Sequence, residues 1–327
     1  MNRRRKLIGA LGAAALQAPF GAIAQTAPAA PRVALVIAGS VRTQPERVDA
    51  FRNRLRELGY VEGKTLTLEI REIQGRFDQW PKIMAEVVAS KPAIIVTHGL
   101  GLQAAHSATK TIPIVAAVTG DPVKEGFAAS LARPGGNVTG NTLILGVTAE
   151  KTVEIGHELV PAAKRIGFLV NSGGSSFSGN RQLFEAAANK RGLAPVVLVA
   201  STPQEVPKAI ADGVAQRVDV LIVASQDVFS TEPQVITDLV ARHRLPTVYS
   251  VDPFIAAGGL VVNGFNTVRL FANAATFVDR ILKGRKPAEL PFEQPTQIEM
   301  VVNMKTAKAL GIKIPQSVLV RADRVIE

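Results

Sequence analysis

The chain has 327 residues, no cysteine, four histidines and a formal net charge of +11. That length accommodates two lobes of ~100 to 200 residues each, and the missing cysteine excludes disulfides, thiolate metal sites, cysteine nucleophiles and the lipid-bearing cysteine of anchored bacterial receptors. Four cations, Arg3, Arg4, Arg5 and Lys6, open the chain and leave +7 for the rest; those others, such as Arg52, Arg54, Arg56, Lys164 and Arg165, are scattered without interleaved aromatics, so no nucleic-acid partner is expected.

The basic start runs into an apolar stretch from Leu7 to Ile23 and a small-x-small site at Ala22-Ile23-Ala24. This order reads as a cleavable export signal over residues 1–24, with an Ala/Pro-rich linker over 25–31. The Arg pair before Lys6-Leu7-Ile8 also resembles a twin-arginine signal, so both export routes stay open. A periplasmic protein without a lipid anchor is expected. No later segment is long and apolar enough to span a bilayer, which takes about 20 residues.

From Arg32 onward, short Val/Ile-rich runs alternate with amphipathic stretches. Strands are expected at Arg32 to Ala38, Leu66 to Ile73, Ala93 to Thr97 and Ile112 to Val118. Between them Val48, Phe51, Leu55 and Leu58 fall at helical spacing before Gly59, and Ile83, Met84, Val87 and Val88 mark a second helix. Runs such as Ala93 to Val96 are apolar on both faces, as the strands of a buried parallel sheet must be. The alternation restarts after Thr148, with strands at Arg165 to Val170, Ala194 to Ala200, Val220 to Ala224 and Thr247 to Val251. Both halves close alike, Ile112-Pro113 leading to Asp121-Pro122 and Leu245-Pro246 to Asp252-Pro253. The fold class is therefore α/β, two doubly wound parallel-sheet lobes joined by a hinge of several crossings. The expected division is 32–143 plus 260–287 for lobe 1 and 144–259 plus 288–327 for lobe 2. Crossings are placed near Thr142 to Val147, Gly258 to Gly264 and Pro287 to Pro295.

In an open parallel sheet a ligand lies beyond the carboxyl ends of the strands. The loops there offer Gly39, Ser40, Thr97, His98, Gly99, Thr119, Gly120 and Asp121 from the first lobe. The second offers Asn171, Ser172, Ser175, Ser225, Gln226, Asp227, Tyr249 and Asp252. Glycines and hydroxyls suit a carboxylate, and Asp121, Asp227 or Asp252 suits an ammonium. These residue types also form turns and helix caps.

Gly99-Leu100-Gly101-Leu102-Gln103-Ala104 competes as a dinucleotide fingerprint, with Asp121 twenty residues beyond Gly101. It follows the third strand instead of the first, behind an export signal, and reads as a cleft wall. Gly174-Ser175-Ser176-Phe177-Ser178 lacks the second glycine of a nucleophile elbow. The histidines His98, His106, His157 and His243 are too dispersed for a zinc site, so neither metal nor cofactor is expected.

The run Gly120-Asp121-Pro122-Val123 through Leu131 to Gly140, together with Asn303 to Pro315 and Arg321 to Glu327, closely resembles the bacterial ABC-transporter substrate-binding proteins related to tryptophan-binding receptors. The resemblance covers about Arg32 to Glu327 and implies a type I periplasmic binding protein-like fold. It implies a monomeric, non-catalytic receptor that closes on a small polar or zwitterionic solute, an amino acid or a relative, and delivers it to a membrane permease. It also implies ligand contacts at Gly39-Ser40, Thr97-His98-Gly99, Thr119 to Asp121, Thr142 at the hinge, Asn171 and Gln226-Asp227. Few aromatics fall near these loops, only Phe177, Phe229, Tyr249 and Phe254, which argues against a large indole ligand. The other readings are a periplasmic enzyme on a doubly wound fold and a ligand-binding sensor subunit.

Overall fold

The computed structural model describes residues 30–143, 146–173 and 177–327. The leader and nearly all of the linker lie outside the described residues. The first lobe strings together β1 (Arg32–Ile37), α1 (Pro45–Glu57), β2 (Thr67–Glu72), α2 (Trp80–Ala89), β3 (Ile94–His98), α3 (Leu100–Ala108), β4 (Ile114–Thr119) and β5 (Val138–Thr142). All its strands pair in parallel, in the order β2-β1-β3-β4-β5.

The second lobe begins with α4 (Gly146–Leu159), β6 (Arg165–Val170), α5 (Phe177–Lys190) and β7 (Ala194–Val199). There follow α6 (Val206–Ala215), β8 (Val220–Val223), α7 (Asp227–Ser230), α8 (Pro233–Arg242), β9 (Thr247–Val251), α9 (Pro253–Ala256) and β10 (Val261–Phe265). The chain then runs through α10 (Thr267–Leu282), β11 (Glu299–Asn303), α11 (Met304–Leu310), α12 (Gln316–Arg321) and β12 (Arg324–Ile326). The sheet order is β12-β11-β10-β9-β8-β6-β7. Its β7-β6-β8-β9-β10 portion repeats the first lobe's order, and only β10 and β11 pair antiparallel.

The burial explains the sequence pattern. Val33, Ala34, Leu35, Val36 and Ile37 are all fully buried because helices cover both faces of their sheet. One face is sealed by α1 and α10, where Val48, Phe51 and Leu55 meet Phe271, Ala274, Phe277 and Val278 in one cluster. Those spacings place one apolar stripe per helix, and each fully buried Val or Phe contributes about 1.5 to 3 kcal/mol.

Residues 260–287 do not stay together as the sequence suggested. Strand β10 hydrogen-bonds within the seven-stranded sheet, whereas α10 packs on the first lobe. The second crossing therefore falls at Asn266, after β10, and not at 258–264. Asn266 marks it with a cap, accepting from the Arg269 N–H, and its Nδ2 donates to Glu299 Oε1 (3.2 Å) at the third crossing. Residues 288–293, expected in lobe 2, pack on the first lobe instead, where Leu290 and Phe292 join its clusters, so the third crossing follows Glu293. That residue pairs with the strand leading into the first crossing, Thr142 N–H donating to the Glu293 carbonyl and Glu293 N–H to the Gly140 carbonyl. Buried Asn141 ties them to α10 by donating to the Leu270 carbonyl and accepting from Asn273. Backbone pairing between crossings makes a stiff hinge of the kind that permits rigid lobe closure.

Candidate functional site

A cleft of about 360 Å³ opens between the lobes, within the range of small-molecule sites. His98, Gly99, Thr119, Gly120 and Asp121 line it from the first lobe, and Asn171, Ser225, Gln226 and Asp227 from the second. The topology places them there: both switch points present their carboxyl-end loops to the same gap.

The lobes touch inside this cleft. The Ala38 N–H donates to His98 Nε2 (3.3 Å), which puts the imidazole proton on Nδ1, and Nδ1 donates to Asp227 Oδ1 (2.9 Å). His98 also meets Phe271 edge-on, with ring centroids 5.4 Å apart. The Asp227 side chain is only 13% exposed. Burial pushes its carboxyl up, but His98, Arg47 and the Leu100 N–H together outweigh burial and hold it below the usual carboxylate range. Oδ2 of the same carboxylate is buried without a hydrogen-bond partner of good geometry, although the Leu100 N–H lies near enough to favour its charge. A buried charged oxygen with free lone pairs has acceptor capacity that only a ligand donor can use without a further desolvation cost.

Gly99 is what allows this approach. Its φ of +53° and ψ of −128° lie in a region other residues avoid, and a Cβ there would overlap Asp227 Oδ2 and stand 2.8 Å from its Cγ. Gly101 has a different reason: a Cβ would stand 2.6 Å from the Trp80 ring. The glycines of the formal dinucleotide pattern are accounted for by lobe contact and by packing of α3 on α2.

Sequence reasoning missed Arg47, the buried cation of the cleft. Burial pushes its guanidinium down and Asp252 and Asp227 pull it back. Its Nε donates to Thr267 Oγ1 (2.9 Å), Thr267 donates to Asp252 Oδ1 (2.5 Å), and the guanidinium lies 5.7 Å from the Phe271 ring centre. The apolar walls, Leu100, Phe127, Leu143, Leu183 and Phe271, were missed as well. Glu125 adds a carboxyl that burial and Asp121 push up while the Thr119 hydroxyl opposes them.

Several expected residues are placed elsewhere. Thr97 is buried and donates to the Val36 carbonyl, and Thr142 donates to the Gly120 carbonyl. Tyr249 stacks on Phe254 in the core (4.3 Å, 19°), because alternate strand residues point away from the cleft. Asp252 serves the Arg47–Thr267 chain instead of lining the cleft. Gly39 and Ser40 border a separate polar opening with Arg42, Glu72 and Glu232. Ser172 pairs with Ser201 at the exposed rim (2.7 Å). Ser175 lies outside the described residues. Gln226 lines the cleft but is engaged in clamping Asn171, accepting from its N–H (2.6 Å) and donating to its carbonyl (3.4 Å).

The family described as ABC transporter substrate binding protein matches residues 33–326. A tyrosine-binding protein of Clostridioides difficile is 27% identical over 264 residues, 80% of this chain and 76% of that protein. The structure of the ABC domain in complex with L-Trp from Streptococcus pneumonia superposes with a TM-score of 0.82 at 25% identity, covering 91% of this chain and 100% of that one. A conserved domain protein from Vibrio cholerae superposes with a TM-score of 0.83 at 27% identity, covering 90% and 99%.

Proposed function

The chain belongs to the ABC transporter substrate binding protein family, and from that membership we propose that it is an exported, free receptor for an amino acid with an apolar side chain, which it delivers to a membrane permease. The observation that carries the ligand class is the Asp227 carboxylate, charged and buried at the lobe contact, with Oδ2 short of a well-aligned donor. An α-ammonium supplies the donor it lacks, as a charge-assisted bond. Arg47 is the counterpart for the α-carboxylate, since it is the buried cation lining the same cleft.

The aromatic walls support a large side chain. Phe127 and Phe271 border the cleft with Leu100, Leu143 and Leu183, and the L-Trp complex and the tyrosine-binding relative show such ligands in similar proteins.

Residues 1–24 act as the leader in this reading, and the chain contains no cysteine for lipid attachment. The protein works as a monomer by binding without catalysis: contacts from both lobes stabilise the closed form that the permease recognises.

A thermal-shift panel on the protein lacking residues 1–24 tests the reading. Phenylalanine, tyrosine and tryptophan at 100 times their dissociation constants should each add about 2.7 kcal/mol of apparent stability. Phenethylamine and 3-phenylpropionate should each shift the melt less than phenylalanine, because each lacks one of the two charges. An equal response to phenylalanine and 3-phenylpropionate rules out the ammonium role.

A further inference from the structure

A small side chamber of about 50 Å³ branches from the cleft into the second lobe. Asn180, Leu183 and Ser225 line both spaces, so the two adjoin across these side chains. Strand register explains the chamber. Phe168 pairs with Ile222, which pairs with Val248, and Val248 pairs with Val261; two residues on, Ala224, Ser250 and Asn263 therefore occupy the same face of the sheet. Helices α4 and α5 cover that face, with Ala149 and Thr152 from one and Leu183 and Phe184 from the other. Phe168 and Phe184 stack at 4.5 Å and 17° to form one wall. Among the described residues no charged side chain lines the chamber, and its polar groups include Asn263, whose Nδ2 donates to Thr152 Oγ1 (3.2 Å).

The geometry points to this chamber as the site that selects the ligand's side chain, admitting aliphatic or aromatic groups and rejecting charged ones. The inference rests on the amino-acid reading above. Ser225 lines both the chamber and the cleft that holds Asp227, so an amino acid whose ammonium meets the carboxylate has the chamber beside it for its side chain. An apolar side chain leaves water for the stacked phenylalanines, whereas a lysine or glutamate side chain would lose hydration with no opposite charge to meet it. Asp227, Ser225 and most of the chamber belong to the second lobe. The ligand therefore loads on that lobe first, and the first lobe closes over it with His98, Gly99 and Arg47.

Filling the chamber tests this. Wild-type protein should bind leucine and phenylalanine at least about 30-fold more tightly than alanine, and lysine and glutamate more weakly than alanine, by isothermal titration. Ala149→Leu should lower affinity for leucine and phenylalanine at least about tenfold while moving alanine less than about threefold. Ala149→Val, a smaller addition, should give the same order with a smaller loss, and an unchanged wild-type melting temperature excludes misfolding as the cause. Equal losses for alanine and phenylalanine, or none for either, overturn the chamber's role and leave the Asp227 reading standing. Failure of every amino acid to bind wild-type protein overturns both.

Discussion

Asp227→Asn should weaken binding of an amine-bearing ligand by about 30-fold or more, because the loss of one partner of a buried charge pair typically costs about 2 to 5 kcal/mol. Binding of a deaminated acid such as 3-phenylpropionate should change less than about tenfold, since it never engaged the carboxylate. The substitution is nearly isosteric. Asn keeps an oxygen that can accept from His98 Nδ1, so the lobe contact survives while the charge at Oδ2 disappears. Titration calorimetry on phenylalanine, phenethylamine and 3-phenylpropionate separates the effects, and equal losses for phenylalanine and 3-phenylpropionate would mean that Asp227 only holds the lobes together. The pH dependence has a definite sign. The folded pKa of Asp227 lies below its ordinary value, so the charge and its contribution persist at pH values above about 4 and are lost as pH falls through the lower folded value. Affinity for phenylalanine should accordingly be level from pH 5 to 8 as far as this group is concerned.

Much of the architecture is legible in the sequence because a strand covered on both faces has to be apolar throughout. Arg32–Ile37, Ile114–Thr119 and Arg165–Val170 stand where such runs stand. The lobe of β10 was less legible, because the chain changes lobe only after that strand, at the single residue Asn266. Position within a strand was the other difficulty. Thr97 and Tyr249 lie within their strands with side chains buried and engaged elsewhere, while His98 at the end of β3 and Ser225 beyond β8 meet the cleft.

Three of the residues missed share one cause. Arg47 sits on α1, Leu183 on α5 and Phe271 on α10, each on a helix whose periodicity reports only that one face is covered. Whether the cover is the lobe's own sheet or the opposite lobe depends on how the lobes meet, and no local pattern encodes that. Arg47 carried a faint signal, a charged residue beside the apolar stripe of Val48, Phe51 and Leu55. Its burial becomes intelligible only with Thr267 and Asp252, more than two hundred positions away.

Gly99→Ala should lower ligand affinity by at least about 100-fold, by obstructing the closed form at the Asp227 carboxylate. When only a fraction of the protein can reach the binding-competent state, apparent affinity falls by that fraction. The added Cβ would overlap Asp227 Oδ2 when the lobes meet, and neither partner yields easily: Gly99 begins α3, and Asp227 is fixed by His98. Opening the lobes relieves this overlap but not the backbone strain, which costs about 1 to 3 kcal/mol for a side chain in this region. Two measurements therefore separate the contributions. Chemical denaturation should report the local strain, and small-angle scattering should show that saturating phenylalanine compacts the wild-type protein but not the variant. A double variant Gly99→Ala with Asp227→Gly removes the obstructing carboxylate and should compact again under crowding or at high ligand, though with the weak affinity of a receptor that has lost its ammonium partner. If Gly99→Ala compacts with phenylalanine as the wild type does and binds within threefold of it, the His98–Gly99–Asp227 contact is not the closure point, and the coupling of binding to lobe closure must lie at the Arg47–Thr267–Asp252 chain beside the hinge.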